Sequence, residues 1–224
     1  MATEAIGRVT LLKTRLSFAS LFEPNKQTNE DGTVRENWRS NFFVPKDGLD
    51  LHGEKMVAVY KGKRYPVRKA LELANIDAKT KTWGGESKWP KLKPEKVYFR
   101  DGDLEDWDGY SDQLYISSNA NLIERPSVIT NRKDSATGKW IAAQAGAEGA
   151  PYSGCYVNAV IEIWAQDNDY GKRMNAKLKS VQFYAQGDAF GAAPVDPNEE
   201  FDDDMVSEEG SIADDGDVDL DDLV

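Results

Sequence analysis

The clearest periodicity in the chain lies late in it, where Cys155 to Ala165 (CYVNAVIEIWA) alternates strictly. Cys155, Val157, Ala159, Ile161 and Ile163 fall on one side, and Tyr156, Asn158, Val160, Glu162 and Trp164 on the other. That period of two marks a strand with one buried face. Turn chemistry at Asn168 to Gly171, followed by Ala176 to Ala185 (AKLKSVQFYA), predicts a hairpin back along it. Earlier runs read the same way. Gly7–Leu12 and Thr14–Ala19 form two short strands, Asn37–Val44 a third stopped by Pro45, and Lys55–Tyr60 a fourth. Val97–Arg100 and Gln113–Ser117 are further strands, followed by a loop that contains Arg125, Arg132 and Lys133.

One segment changes period. Across 67–75 (VRKALELAN), Val67, Ala70, Leu71 and Ala74 share a helical face, and Pro66 supplies a start signal. Residues 77–96 (DAKTKTWGGESKWPKLKPEK) have no clean period and read as a long connection, which points to function. Several strands, one helix and long loops predict a mainly β fold. Its form is a small Greek-key β-barrel, with no βα alternation of the kind a parallel sheet needs.

Charge divides the chain in two. The whole has 224 residues with 39 acids and 28 bases, a net −11. Fourteen of the acids, and no Lys or Arg, lie from Val195 onward. The body 1–194 therefore keeps 25 acids against all 28 bases, a net +3. We expect two parts: a mildly cationic folded domain over 1–194 and a disordered acidic tail over 195–224. Such a tail competes with polyanions or recruits basic partners. The lone Cys155 cannot form an internal disulfide and reads as a small buried hydrophobe. No secretory signal and no run of roughly 18 apolar residues is present, so the expected location is the cytoplasm.

Catalytic chemistry finds little support. His52, the single histidine, lies in a loop-like stretch with no nucleophile or carboxylate constellation around it. The phosphate-cradling and nucleophile-elbow patterns are absent. Asp215, Asp217 and Asp219 mimic the start of a calcium loop, but Leu220 stands where the turn needs glycine. The stretch 101–109 (DGDLEDWDG) fails the same template. We read the chain as a non-enzyme without cofactor or metal.

Aromatic residues beside cations point elsewhere. Trp38 adjoins Arg39; Lys61, Lys63 and Arg64 precede Tyr65; Trp83 leads into Lys88, Trp89, Lys91 and Lys93; Tyr98 precedes Arg100. Cations that track phosphates and rings that stack on bases are what single-stranded nucleic acid requires. With Tyr156 and Trp164 these form the candidate single-stranded DNA (ssDNA) site. Trp83 and Trp89 carry the most weight, because their segment offers little apolar company. Phe42, Phe43, Phe183 and Trp164 stay open between core and contact.

The stretches GRVTLLKTRLSFASLFEP, FFVPK, PYSGCYVNAVIEIWAQDN and LKSVQFYAQGDAFG, in that order over about 6–191, resemble the ssDNA-binding proteins of tailed bacteriophages. SGCYVNA and the closing VQF…GD.FG are the most specific part. The resemblance implies an OB fold with long loops and non-specific ssDNA binding. It also implies a role in phage DNA replication, recombination and repair in the host cytoplasm, and a tail that contacts replication or recombination proteins. Related tails often end in an aromatic anchor. Here Asp219, Asp221, Asp222, Leu223 and Val224 would form the partner hook, with an aliphatic end. The other readings are an adaptor or DNA mimic whose tail is the active element, and a nuclease.

Overall fold

The computed structural model describes residues 6–29 and 31–190. The acidic segment 195–224, including the expected hook, lies outside them. The elements run β1 (Arg8–Thr28), β2 (Val34–Pro45), β3 (Val57–Tyr60), β4 (Lys63–Pro66), α1 (Val67–Trp83) and β5 (Phe99–Asp101). They continue with β6 (Gln113–Asn121), β7 (Ser127–Lys133), β8 (Trp140–Ala142), β9 (Tyr156–Asn168) and β10 (Gly171–Ala185).

Five of these strands close a barrel. β1 pairs β2, β2 pairs β6, β6 pairs β10 in parallel, β10 pairs β9, and β9 returns to β1. Numbered as barrel strands, that is 1-2-3-5-4-1, the Greek-key order of the OB fold. The expected alternation holds along β9, where Val157, Ala159, Ile161 and Ile163 are all inside. β2 alternates likewise: Phe42 and Val44 join the main core, while Phe43 points out.

β1 is one strand rather than two. Besides a register shift between Ser20 and Asn25, two bulges let it wrap the barrel: the pairing slips between Leu11 and Thr14, and again between Ser17 and Ser20. At each slip a residue adopts positive φ, Lys13 at 54° and Phe18 at 48°. A non-glycine residue held there costs roughly 1–3 kcal/mol, so the surroundings must fix it. They do so by taking the backbone donors the bulges leave over. Lys13 N–H donates to Asn158 Oδ1 (3.0 Å), and Ala19 N–H to Ser153 Oγ (3.0 Å). Both acceptors belong to SGCYVNA, which gives that motif a physical purpose.

The helix runs to Trp83, eight residues beyond the predicted end, because Ala78 and Trp83 extend its buried face. α1 packs against β1, β3, β4 and β9. The connection after it is not loose. Short 3-10 turns at Glu86–Lys88 and Pro94–Lys96 shape it, and Trp89, Leu92 and Val97 pack on the core. The hairpin partner β4 and the β7–β8 pair, expected as loop, are strands. β7 is recruited by the free end of β10, through Ser180–Gln182 beside Ser127–Ile129.

Candidate nucleic-acid interface

The outer face of β1, β2 and β6 carries an aromatic cluster that follows from strand alternation. Phe43 on β2 and Tyr115 on β6 point away from the barrel, opposite their inward neighbours Phe42 and Ile116. Tyr110 packs between them, 4.7 Å from Phe43 and 5.0 Å from Tyr115 between ring centroids. Its hydroxyl lies 2.6 Å from Asn41 Nδ2 and donates to Ser17 Oγ. Burial raises the Tyr110 phenol above its ordinary range. Burial and then the Glu105 carboxylate push Tyr115 up to about 12. Both therefore serve as neutral supports.

On this base sit two accessible rings. Phe18, turned out by the β1 bulge, is 40% exposed, and Trp107 is 38% exposed. They meet edge to face at 5.0 Å, and Trp107 also rests on Tyr110 at 5.0 Å. The Arg39 guanidinium lies 5.3 Å from the Phe18 ring, and Arg15 holds the β1 edge of the face. Rings open to stacking beside cations form the arrangement that single strands exploit. It occupies the face that OB folds present to oligonucleotides.

The acidic stretch 101–109 builds the arm that carries Trp107. Lys46 at the end of β2 bonds Asp101 (2.7 Å) and Asp103 (2.5 Å). Asp103 also accepts from the Asp112 N–H at 2.7 Å. These hydrogen bonds to Lys46 hold both carboxyls below their ordinary range and raise Lys46. Beside Arg15 lies a cavity of about 260 Å³ lined by Lys13, Arg15, Phe43, Gly109 and Tyr156 among others. At its rim the Asp50 side chain is 3% exposed. Burial acts to raise its pKa, but the His52 and Glu54 N–H groups and Lys13 outweigh that and lower it.

Of the expected site residues, Arg39 stands on this face, and Tyr156, on β9 opposite Arg15, lines the adjoining cavity. Three expected stacking rings are corrected: Trp38, Trp83 and Tyr98 are 6%, 6% and 3% exposed and belong to the core. Trp38 donates Nε1–H to Leu122 O, and Tyr98 its hydroxyl to Asn75. Trp83 Nε1 finds no partner among the described residues, so burying the ring outweighs one unsatisfied donor. Trp89 is half-buried; its Nε1 donates to Gly84 O, and Lys79 covers its ring. Tyr65 packs on the core beneath exposed Lys63 and Arg64. Lys61 pairs with Asp77. Lys88, Lys91 and Lys93 are exposed on the connection, and Arg100 caps Val97 O. Trp164, 42% exposed, faces Asn175 on the β9–β10 arm.

Phe18, Trp107, Arg15 and Tyr110 were not anticipated. The available signals were the break in alternation at 17–20 and a tryptophan isolated in an acidic loop. Cys155 is buried, and burial pushes its thiol up to about 11. Among the described residues no group of three or more His, Cys, Asp or Glu is placed to hold a metal ion. No helix among them is long and apolar enough to cross a membrane.

The model of a phage family described as Enterobacter phage Enc34, ssDNA-binding protein, matches residues 7–211. The chain belongs to this family. Protein p50 of Acyrthosiphon pisum secondary endosymbiont phage 1 is 35% identical over 216 residues, covering 92% of this chain and 98% of p50. Among solved structures, the ssDNA-binding protein of bacteriophage Enc34 matches with TM-score 0.57 and 24% identity, covering 88% of this chain and 90% of that one. The same protein in complex with ssDNA matches with TM-score 0.58 and 24% identity, over 85% of this chain and 97% of that one. These structures share the barrel described above.

Proposed function

We propose that this protein binds ssDNA without sequence preference on the outer face of β1, β2 and β6. The observation that carries the reading is the accessible Phe18–Trp107 pair backed by Arg39, in a chain of a phage ssDNA-binding family. Bases stack on the two rings, each contributing about 1–3 kcal/mol, and stacking is indifferent to base identity. Arg39 and Arg15 meet phosphates, and the net +3 of residues 1–194 adds a diffuse attraction. Binding, not catalysis, is the activity.

The acidic segment 195–224 competes with DNA for this cationic face. It also recruits replication or recombination proteins through Asp219, Asp221, Asp222, Leu223 and Val224. The work is done in the host cytoplasm during phage DNA replication and recombination. Its support is the charge split, together with Phe190, whose ring packs on Phe43 of this face shortly before the acidic part begins. Anisotropy of labelled oligo-dT, oligo-dA and a mixed sequence at several salt concentrations tests the reading. Similar affinities are expected, with a salt slope of about 0.7 per phosphate contacted. Deleting 195–224 should tighten binding at low salt. Absence of binding to every oligonucleotide would favour the adaptor.

A further inference from the structure

The outer face already has an occupant. After β10 the chain does not leave the barrel; residues 186–190 fold back across the start of β9 and the edge of β1. The Tyr152 hydroxyl accepts from Gly187 N–H at 3.2 Å and sits 2.6 Å from Gln186 Oε1. Arg15 Nη2 donates to Asp188 O at 2.9 Å, and Phe190 N–H to Ser153 O at 3.2 Å. The strap fits only because two glycines stand under it. At Gly154 (φ +110°) a Cβ would lie 2.1 Å from Asp188 O. At Gly109 (φ +75°) it would lie 2.3 Å from the Phe190 ring. The motif pieces SGC and GDAF are therefore two halves of one contact.

What the strap covers is specific. The Phe190 ring meets Phe43 edge to face at 5.6 Å, and the Arg15 guanidinium stacks on it at 4.3 Å. Phe190 thus sits as a flat ring between an aromatic support and a cation. Arg15, Phe43 and Gly109 also line the neighbouring cavity of about 260 Å³. That is room for a single flat ring, since pockets for larger ligands begin near about 300 Å³. Without the Phe190 ring the guanidinium has a free face, and once the strap lifts from Asp188 its Nη2 donor is released, while Nε keeps Gly154 O.

We propose that Arg15, Phe43 and Gly109, with the adjoining cavity, form a nucleobase subsite that Phe190 holds in the DNA-free protein. A base entering the subsite displaces Phe190, its flanking phosphate takes over the Arg15 Nη2 donor from Asp188 O, and the strap lifts. The inference rests on the reading of this face as an ssDNA interface. It differs from charge competition, because the competitor is an apolar ring and salt does not screen it.

The test uses the full chain. Phe190→Ala should tighten oligo-dT binding by about three- to tenfold, the factor by which a mostly occupied subsite weakens apparent affinity. The gain should persist at high salt. Weaker or unchanged binding by a variant with wild-type melting behaviour overturns the proposal. Should Phe190→Ala not fold, chymotryptic cleavage of the wild-type chain after Phe190 decides, read by intact mass. Saturating oligo-dT should accelerate that cut several-fold; protection or no change overturns the subsite. If the wild-type chain binds no oligo-dT at all, the interface reading fails and this inference with it.

Discussion

Two segments of this protein each carry tryptophan among charged residues, and they use it in opposite ways. The connection 84–98 is rich in lysine, and its Trp89, like Trp83 just before it, turns inward to hold α1 on the barrel. The arm 101–112 is acidic, yet it presents Trp107 outward beside Phe18 and Arg39. The difference is in where the charges go. On the arm, Asp101 and Asp103 share Lys46 and fold the loop, while the cation beside the exposed Phe18 ring comes from β2. On the connection, Lys88, Lys91 and Lys93 project into water and the rings beneath them are covered. Local charge around a ring does not determine whether that ring is buried or exposed.

The contrast can be broken most forcefully at Trp83. Trp83→Ala should lower stability by about 3–5 kcal/mol, the cost of emptying a core aromatic site. The ssDNA affinity of the folded fraction should be unchanged. Chemical denaturation alongside anisotropy checks both. Phe18→Ala and Trp107→Ala should each weaken oligo-dT binding by about 1–3 kcal/mol, and both should leave the barrel folded by circular dichroism.

A smaller effect concerns pH. In the folded protein, the hydrogen bonds from Lys46 hold the Asp101 and Asp103 carboxyls below the ordinary aspartate range. The unfolded chain therefore binds protons first as pH falls. The stabilisation they give is full above about pH 4 and is lost as pH drops through their folded values. Lys46→Met should flatten that acid limb in thermal melts taken between pH 3 and pH 6. The smallest effect is expected from Lys88→Gln, Lys91→Gln and Lys93→Gln combined. It should lower affinity slightly at low salt and leave the salt slope near that of wild type.

Much of the barrel is legible in the sequence, since alternation along 155–165 places Val157, Ala159, Ile161 and Ile163 of β9 in the core, and Pro66 marks the start of α1. What escapes has physical reasons. β4 and the β7–β8 pair are short or exposed, and neighbours create them rather than their own pattern. The two β1 bulges break the period, so one strand reads as two and Phe18 is assigned no face. Trp83 sits after a run of Lys and Thr that hides the continuing buried stripe of α1. Trp107 is carried by an arm that Asp101 and Asp103 fold, and their partners, Lys46 and the Asp112 N–H, are distant in the chain or visible only once it is folded. Of the expected site, Arg39 reaches the interface and Tyr156 the adjoining cavity, because strand neighbours share a face that sequence neighbours do not.

We expect ssDNA to stack on the outer face of β1, β2 and β6 rather than on the lysine-rich connection. Tryptophan emission under titration with oligo-dT, compared between Trp107→Phe and Trp89→Phe, tests it most directly. Most of the wild-type quenching should vanish in Trp107→Phe and persist in Trp89→Phe. Quenching that survives in Trp107→Phe and disappears in Trp89→Phe would contradict it.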